Sequence, residues 1–250
     1  AKDGAGKLVA IDWQFNAWGG KFEPHDTDNT VACKMAEAVG APVISSELIL
    51  EGGAIESNGA GVLLTTDEVL LNPNRNPQWS REQIEAELRR MLGVKEIFWL
   101  TRGLDHDDTD GHIDNITRFV AEDAVLTSVN PTIMPATAPA FQTQLVENRR
   151  LLRERFETVI DLPLPEQYSL KRNPGAATSE GTQPKPVSYA NYALVNDAVI
   201  VPSFGQPEND ERAAGIIGDC FPGRKIVPFD CRLFLEEGGA VHCLSQHEPV

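Results

Sequence analysis

Residues 61–100 read GVLLTTDEVLLNPNRNPQWSREQIEAELRRMLGVKEIFWL, and the order of patterns in this stretch decides the fold class. Gly61–Thr66 and Glu68–Leu71 are short apolar runs separated by turn-forming residues, so both are expected as strands. Ser80–Leu92 is the clearest helix in the chain. Ser80 and Gln83 have capping-box spacing, Ile84, Leu88 and Met91 share one face, and Gly93 provides the stop. Lys95–Leu100 returns to strand character. The unit is strand, strand, helix, strand, which differs from the simple alternation of a doubly wound sheet.

The same unit recurs on both sides. Upstream, Leu8–Phe15 reads as a strand and Asp26–Gly40 as a helix with Val31, Met35 and Val39 on one face; Glu47–Leu50 is again a strand. Downstream come strands at Ile113–Val120 and Ala124–Ser128, a helix at Phe141–Phe156 and a strand at Thr158–Leu162. Pro163–Pro186 is rich in Pro, Gly, Ser and Thr and reads as a long loop. Strands are expected at Val187–Val195 and Ala198–Pro202, a helix at Asn209–Cys220, and strands at Lys225–Phe229 and Ala240–Leu244. Two places share text: Glu51-Gly-Gly-Ala-Ile and Glu237-Gly-Gly-Ala-Val. Repetition without a strict period points to an α/β propeller of diverged modules, with a site at its axis.

The chain has 250 residues, 41% apolar and 24% charged, so one domain over 1–250 is the default expectation. A net charge of −15 argues against nucleic-acid and anionic-membrane partners and suits the capture of small cations, although solubility alone is the commoner reason for it. The four cysteines are widely spaced with no CxxC, a usage that fits free thiols in a reducing, cytoplasmic setting. No run approaches the roughly 20 apolar residues of a membrane helix, and no signal-peptide pattern is present. Position 1 is Ala and a strand-like pattern begins almost at once, so an upstream part of the first module is expected to be missing.

Several motifs fail on spacing. Gly4-Ala-Gly-Lys7 lacks the earlier glycine of a phosphate loop and has Leu8 where Ser or Thr is needed, so a turn is expected. The acidic run Asp105–Gly111 would place Thr117 at the last position of a calcium loop, where a bidentate Glu is required. The histidines and cysteines show no zinc spacing. Gly111-His112-Ile113-Asp114 is more informative: in a strand, His112 and Asp114 would face one side. Cys243 follows Gly238-Gly239 and has polar neighbours. A lone cysteine in a strand is more often a core residue, but a catalytic cysteine needs a distant histidine and His112 is the best candidate. Cys33, Cys220 and Cys231 read as structural.

Trp13-Gln-Phe-Asn-Ala-Trp18-Gly-Gly20, Glu51-Gly-Gly53, Leu71-Asn-Pro-Asn-Arg-Asn-Pro77, Thr109-Asp-Gly-His-Ile-Asp114 and Val241-His-Cys243 occur in that order. Together they resemble agmatine deiminases of the bacterial and plant type, within the peptidyl-arginine deiminase superfamily, over essentially the whole chain. The resemblance implies the pentein fold, an α/β propeller of ββαβ modules about a pseudo-fivefold axis, here with an incomplete N-terminal module. It implies Cys243 as nucleophile, His112 as general acid/base, Glu51 as the carboxylate orienting that histidine, Asp114 as a guanidinium-gripping carboxylate and Trp18 as a lining residue. It further implies agmatine, a small cationic guanidine, as substrate, with no metal or organic cofactor. Homo-oligomerisation is left open.

One departure stands out. The family usually carries a second gripping aspartate in an Arg-Asp-x-Gly-Pro motif upstream of the Trp-Gly-Gly strand; no such motif occurs here and Asp12 does not match it. Three alternatives therefore stay open: a deiminase of free or peptidyl arginine, an amidinotransferase, and a catalytically incomplete remnant or binding module.

Overall fold

The computed structural model describes residues 1–104, 106–129, 140–166, 168–170, 183–185 and 187–249. The chain is a mixed α/β fold built on a repeated strand–helix–strand unit. In the second repeat, Glu56–Ser57 runs antiparallel to Val62–Thr66, helix Arg81–Leu92 crosses over, and Glu96–Leu100 returns parallel to the central strand. The third repeat does the same with Thr117–Ala121, Ala124–Ser128, helix Ala140–Arg155 and Thr158–Leu162. The fourth uses Ala193–Val195, Ala198–Ser203, helix Pro207–Cys220 and Lys225–Asp230. The first repeat has Ala10–Gln14 parallel to Val43–Ile49, with helix Val31–Val39 between them, and its sheet is two-stranded among the described residues.

The crossover helices form where the local chemistry supports them. Ser80 Oγ accepts from the Gln83 N–H and the Gln83 side chain accepts from the Ser80 N–H, so both arms of the capping box are made. Gly93 closes that helix at φ 68°, in the left-handed region that costs a glycine little. Ile84 and Leu88 pack beneath it against Leu48, Leu63 and Leu70. Leu152 of the third repeat's helix and Phe156, just past its end, meet Leu64, Leu100 and Ile113. A further core gathers Leu126, Tyr189, Tyr192, Val201 and Ile217.

Five expected elements differ. Glu68–Leu71 is not a strand: Thr66 caps a one-turn helix, Asp67–Leu70, by accepting from the Val69 N–H. Ile113–Val120 divides into a 3₁₀ turn, Ile113–Asn115, and the strand Thr117–Ala121. Of Val187–Val195 only Ala193–Val195 is a strand. Ala240–Leu244 is a turn, entered through Gly238 at φ 89°. Within the expected loop 163–186, Tyr168–Leu170 pairs antiparallel with Gln183–Lys185, and the stretch 171–182 lies outside the described residues. The stripe Val31, Met35 and Val39 faces outward and is exposed, Ala36 being the residue this helix buries. Gly4–Lys7 is a turn, as expected, with Asp3 Oδ1 accepting from the Ala5 and Lys7 N–H groups. Cys33 is exposed and Cys231 buried.

Candidate active site

Glu51 leaves the end of strand Val43–Ile49 and opens the 3₁₀ turn Gly52–Ala54. Asn76 fixes the approach: its amide donates to the Ile49 carbonyl at 2.9 Å and its oxygen accepts from the Ile49 N–H at 3.0 Å. The Glu51 carboxylate is buried and accepts from Arg75 Nε through both oxygens, at 2.9 and 3.1 Å. Its Oε2 lies 3.6 Å from His112 Nε2. Burial pushes the Glu51 carboxyl up, but His112 and Arg75 outweigh it and hold the group below its ordinary range.

His112 and Asp114 flank the start of the 3₁₀ turn Ile113–Asn115, and both are buried. A Cβ on Gly53 would stand 2.5 Å from His112 Nδ1 and 2.9 Å from Asp114 Oδ2, which places the two side chains together over that glycine. Burial lowers the His112 pKa, yet the Glu51 carboxylate 3.6 Å away and the charges of Asp114 and Asp107 raise it above its ordinary value. The imidazole therefore holds its proton more firmly than a free histidine does.

Asp114 is fully buried. Its Oδ2 meets His242 Nδ1 at 2.8 Å, Asn191 Nδ2 at 3.2 Å and Cys243 Sγ at 3.6 Å, while Oδ1 has no protein partner. Burial opposes its ionisation, but His242, His112 and Arg118 keep its pKa below the usual range. Asn191 is the hub: Nδ2 reaches Cys243 Sγ at 3.1 Å, and Oδ1 accepts from the His242 and Cys243 N–H groups at 3.0 and 3.3 Å. Arg118, ion-paired to Glu56 at 3.0 Å, donates to the Ala190 and Tyr192 carbonyls and so fixes the loop that carries Asn191.

Cys243 sits in the turn after Gly239, where a Cβ on the glycine would approach Sγ to 3.1 Å. The residue as a whole is exposed, but its sulfur lies among Asn191, Asp114 and the Gly239 backbone. Surrounding protein, and then the Asp114 charge, push the thiol up to about 12. It is a neutral thiol while Asp114 is uncompensated. Asp107, held through Oδ1 by the Thr109 N–H and hydroxyl, has a second buried oxygen without a partner, and burial raises its pKa.

Glu51, His112, Asp114 and Cys243 are thus brought into one cluster. Trp18 lies in a left-handed turn where Ala17, Trp18, Gly19 and Gly20 all have positive φ. It stacks edge-on with Phe15 and Phe22, at 5.2 and 5.6 Å between ring centres. Sequence reasoning assigned no role to Asn191, His242, Arg75 or Asp107. Arg75 lies inside the quoted Asn-Arg-Asn motif and His242 beside Cys243, but Asn191 has no local signal at all.

Fold and site together describe an α/β protein whose thiol, imidazoles and buried carboxylates converge at the ends of its repeats. The chain belongs to the Porphyromonas-type peptidyl-arginine deiminase family, whose model matches residues 3–249. It is 38% identical to the agmatine deiminase of Pseudomonas fluorescens, over 98% of this chain and 71% of that one. The agmatine deiminase of Ectopseudomonas mendocina is 36% identical, with 99% and 71% covered. Among solved structures, the agmatine deiminase of Enterococcus faecalis superposes with a TM-score of 0.87 at 31% identity, over 97% of this chain and 70% of that one. A C. jejuni agmatine deiminase with substrate bound gives 0.81 at 32% identity, over 95% and 67%.

Proposed function

We propose that this chain hydrolyses the guanidinium of agmatine, giving N-carbamoylputrescine and ammonia, through a covalent intermediate on Cys243. The observation that carries the mechanism is Asp114 Oδ1: a buried carboxylate oxygen with no protein partner, on the side chain that touches the Cys243 thiol. A guanidinium is a planar cation with several donors, and a carboxylate is its natural acceptor. Agmatine has no carboxylate of its own, which suits a protein of net charge −15.

Burial first, and then the negative Asp114 beside it, hold the resting thiol neutral. A guanidinium on Asp114 cancels that field, so the thiol loses its proton to solvent. Sulfur bonds to the central guanidine carbon and a tetrahedral adduct forms. His112, protonated beside Glu51, gives its proton to the leaving nitrogen; the C–N bond breaks and ammonia departs. The neutral His112 then takes a proton from water as the water oxygen bonds to the thiouronium carbon. The C–S bond breaks, the thiolate is regenerated, and the one remaining hydroxyl proton passes through solvent to ammonia. Glu51 orients His112, and Trp18 lines the approach. In this reading the repeats close as a pentein propeller about a pseudo-fivefold axis, and 1–250 form one deiminase domain working in the cytoplasm on a small cationic substrate. No described helix is long and apolar enough to cross a membrane.

A second reading has one observation in its favour: the family's description names peptidyl-arginine. Ammonia release from agmatine, free arginine and a blocked arginine peptide separates the two. Agmatine is expected to be the preferred substrate, and Cys243→Ala to abolish turnover. Activity on the peptide alone would replace the first reading by the second. Turnover that survives Cys243→Ala would remove the mechanism. A wild-type chain inert on all three would leave the catalytically incomplete reading.

A further inference from the structure

Glu51 can orient His112 only if Glu51 is itself held, and the structure assigns that task to Arg75. We propose that Arg75 is a positioning residue for the Glu51–His112 pair, an inference that rests on the deiminase reading above. Arg75 is buried in the loop after the one-turn helix Asp67–Leu70. Its Nε bonds both Glu51 oxygens. Its Nη1 reaches Asp110 Oδ2 at 2.7 Å and Asn74 Oδ1 at 3.1 Å, and Nη2 donates to the Thr109 carbonyl at 2.8 Å. One planar guanidinium thereby ties the Glu51 turn to the 106–112 segment that delivers His112.

The clamp continues outward. Asp110 sits at φ 60°, a left-handed conformation unusual for an L residue, and also meets Lys21 Nζ at 2.5 Å and Asn74 Nδ2 at 2.9 Å. Asn16 donates to the Asn74 carbonyl and caps the Gly19 N–H, so the Trp18 turn docks on the same loop. Neighbouring Asn76 clamps Ile49, two residues before Glu51. The Asn74–Asn76 segment therefore fixes three pieces of the site at once, with Arg75 at its centre. A lysine would keep the charge but offers one ammonium on a flexible stem. It cannot bond Glu51, Asp110 and the Thr109 carbonyl in this fork.

That difference gives a test in which charge is constant. His112 faces the carboxylates of Glu51, Asp107 and Asp114; Glu51 faces Arg75; Arg75 faces Asp110, which faces Lys21. In Arg75→Lys the sum of these charges is unchanged, and what is lost is the fork that ties Glu51 to Asp110 and the Thr109 carbonyl. The imidazole signal of His112, assigned by its loss in His112→Gln, is titrated by NMR in wild type, Arg75→Lys and Asp110→Asn. Asn tolerates the left-handed conformation at 110, so the second variant loosens Arg75 from its outer side without stranding a buried charge. The His112 titration is expected to fall in Arg75→Lys and to fall less in Asp110→Asn. For agmatine, kcat is expected to drop roughly tenfold to a hundredfold in Arg75→Lys with KM nearly unchanged, since misplacement acts on the reacting geometry. A folded Arg75→Lys with wild-type His112 titration and wild-type kcat would overturn the proposal. If that variant does not fold, an unmoved His112 titration in Asp110→Asn overturns it instead. The NMR readout needs no turnover, so an inactive wild type would remove the agmatine reading while the positioning role is still decided by the titration.

Discussion

At the scale of single residues, Gly53 shows how little space the site leaves. An added methyl would fall inside contact distance of both His112 Nδ1 and Asp114 Oδ2, and both side chains are buried. Gly53→Ala is therefore expected to cut kcat/KM for agmatine by about a hundredfold or more, because roughly an ångström of misplacement is costly at a reacting centre. Steady-state ammonia release measures this, and a variant with near-wild-type kcat/KM would show that the two side chains are not confined as the structure has them. Glu51-Gly-Gly was legible only as repeated text and as part of the family resemblance; the close approach over Gly53 depends on His112 and Asp114, distant along the chain, and left no local signal. The meeting of His112 and Asp114 was anticipated for a different reason from the one found. Strand alternation was expected, whereas a 3₁₀ turn folded over Gly53 brings them together. Asn191 was illegible because its role is set by contacts with residues 77 and 52 positions away along the chain, which no local pattern encodes.

At the scale of elements, the crossover helices and their central strands were readable because capping chemistry and apolar spacing agree with the packing. Ser80 is the sharpest case. Ser80→Ala removes the acceptor for the Gln83 N–H, and the helix end should lose about 1 kcal/mol. For a chain of this size that corresponds to a Tm lower by about 2–4 °C, which scanning calorimetry resolves. An unchanged Tm would mean that the cap contributes nothing beyond what solvent supplies. The elements that were misread share a physical cause: tertiary contacts overrode local pattern. Glu68–Leu71 has strand-like residues, but Thr66 both caps the turn and donates through its hydroxyl to the Gly111 carbonyl, fixing a helical turn there. Ala240–Leu244 alternates like a strand, yet the His242 and Cys243 N–H groups are taken by the Asn191 side chain, leaving them unavailable to a sheet.

For the whole molecule, the buried charges set the dependence of stability on pH, and the signs can be worked out group by group. Glu51, Asp110 and Asp114 have folded pKa values below their ordinary ones. Their contribution is present above the unfolded carboxylate values, about 4, and is lost as pH falls through the depressed folded values. His112 is raised, so its contribution is complete below the unfolded histidine value, about 6.5, and is lost as pH rises through the folded value. Asp107 is also raised, and it too favours the fold less as pH increases. Self-repulsion acts in the same direction, since a chain already at −15 near pH 7 gains no positive charge on the alkaline side. Tm is therefore expected to peak on the acid side of neutrality, roughly between pH 4.5 and 6.5, and to decline toward pH 8. Salt separates the two alkaline effects: added electrolyte screens repulsion between surface charges but hardly reaches the buried His112–Glu51 pair. Calorimetry from pH 4 to 9 at low and high ionic strength, with His112→Gln alongside, should show a salt-insensitive part of the alkaline decline that vanishes in the variant. A Tm that climbs steadily from pH 6 to 8 in the wild type would mean that His112 is not held protonated by Glu51, and the acid role given to it in the first half of the reaction would fall with it.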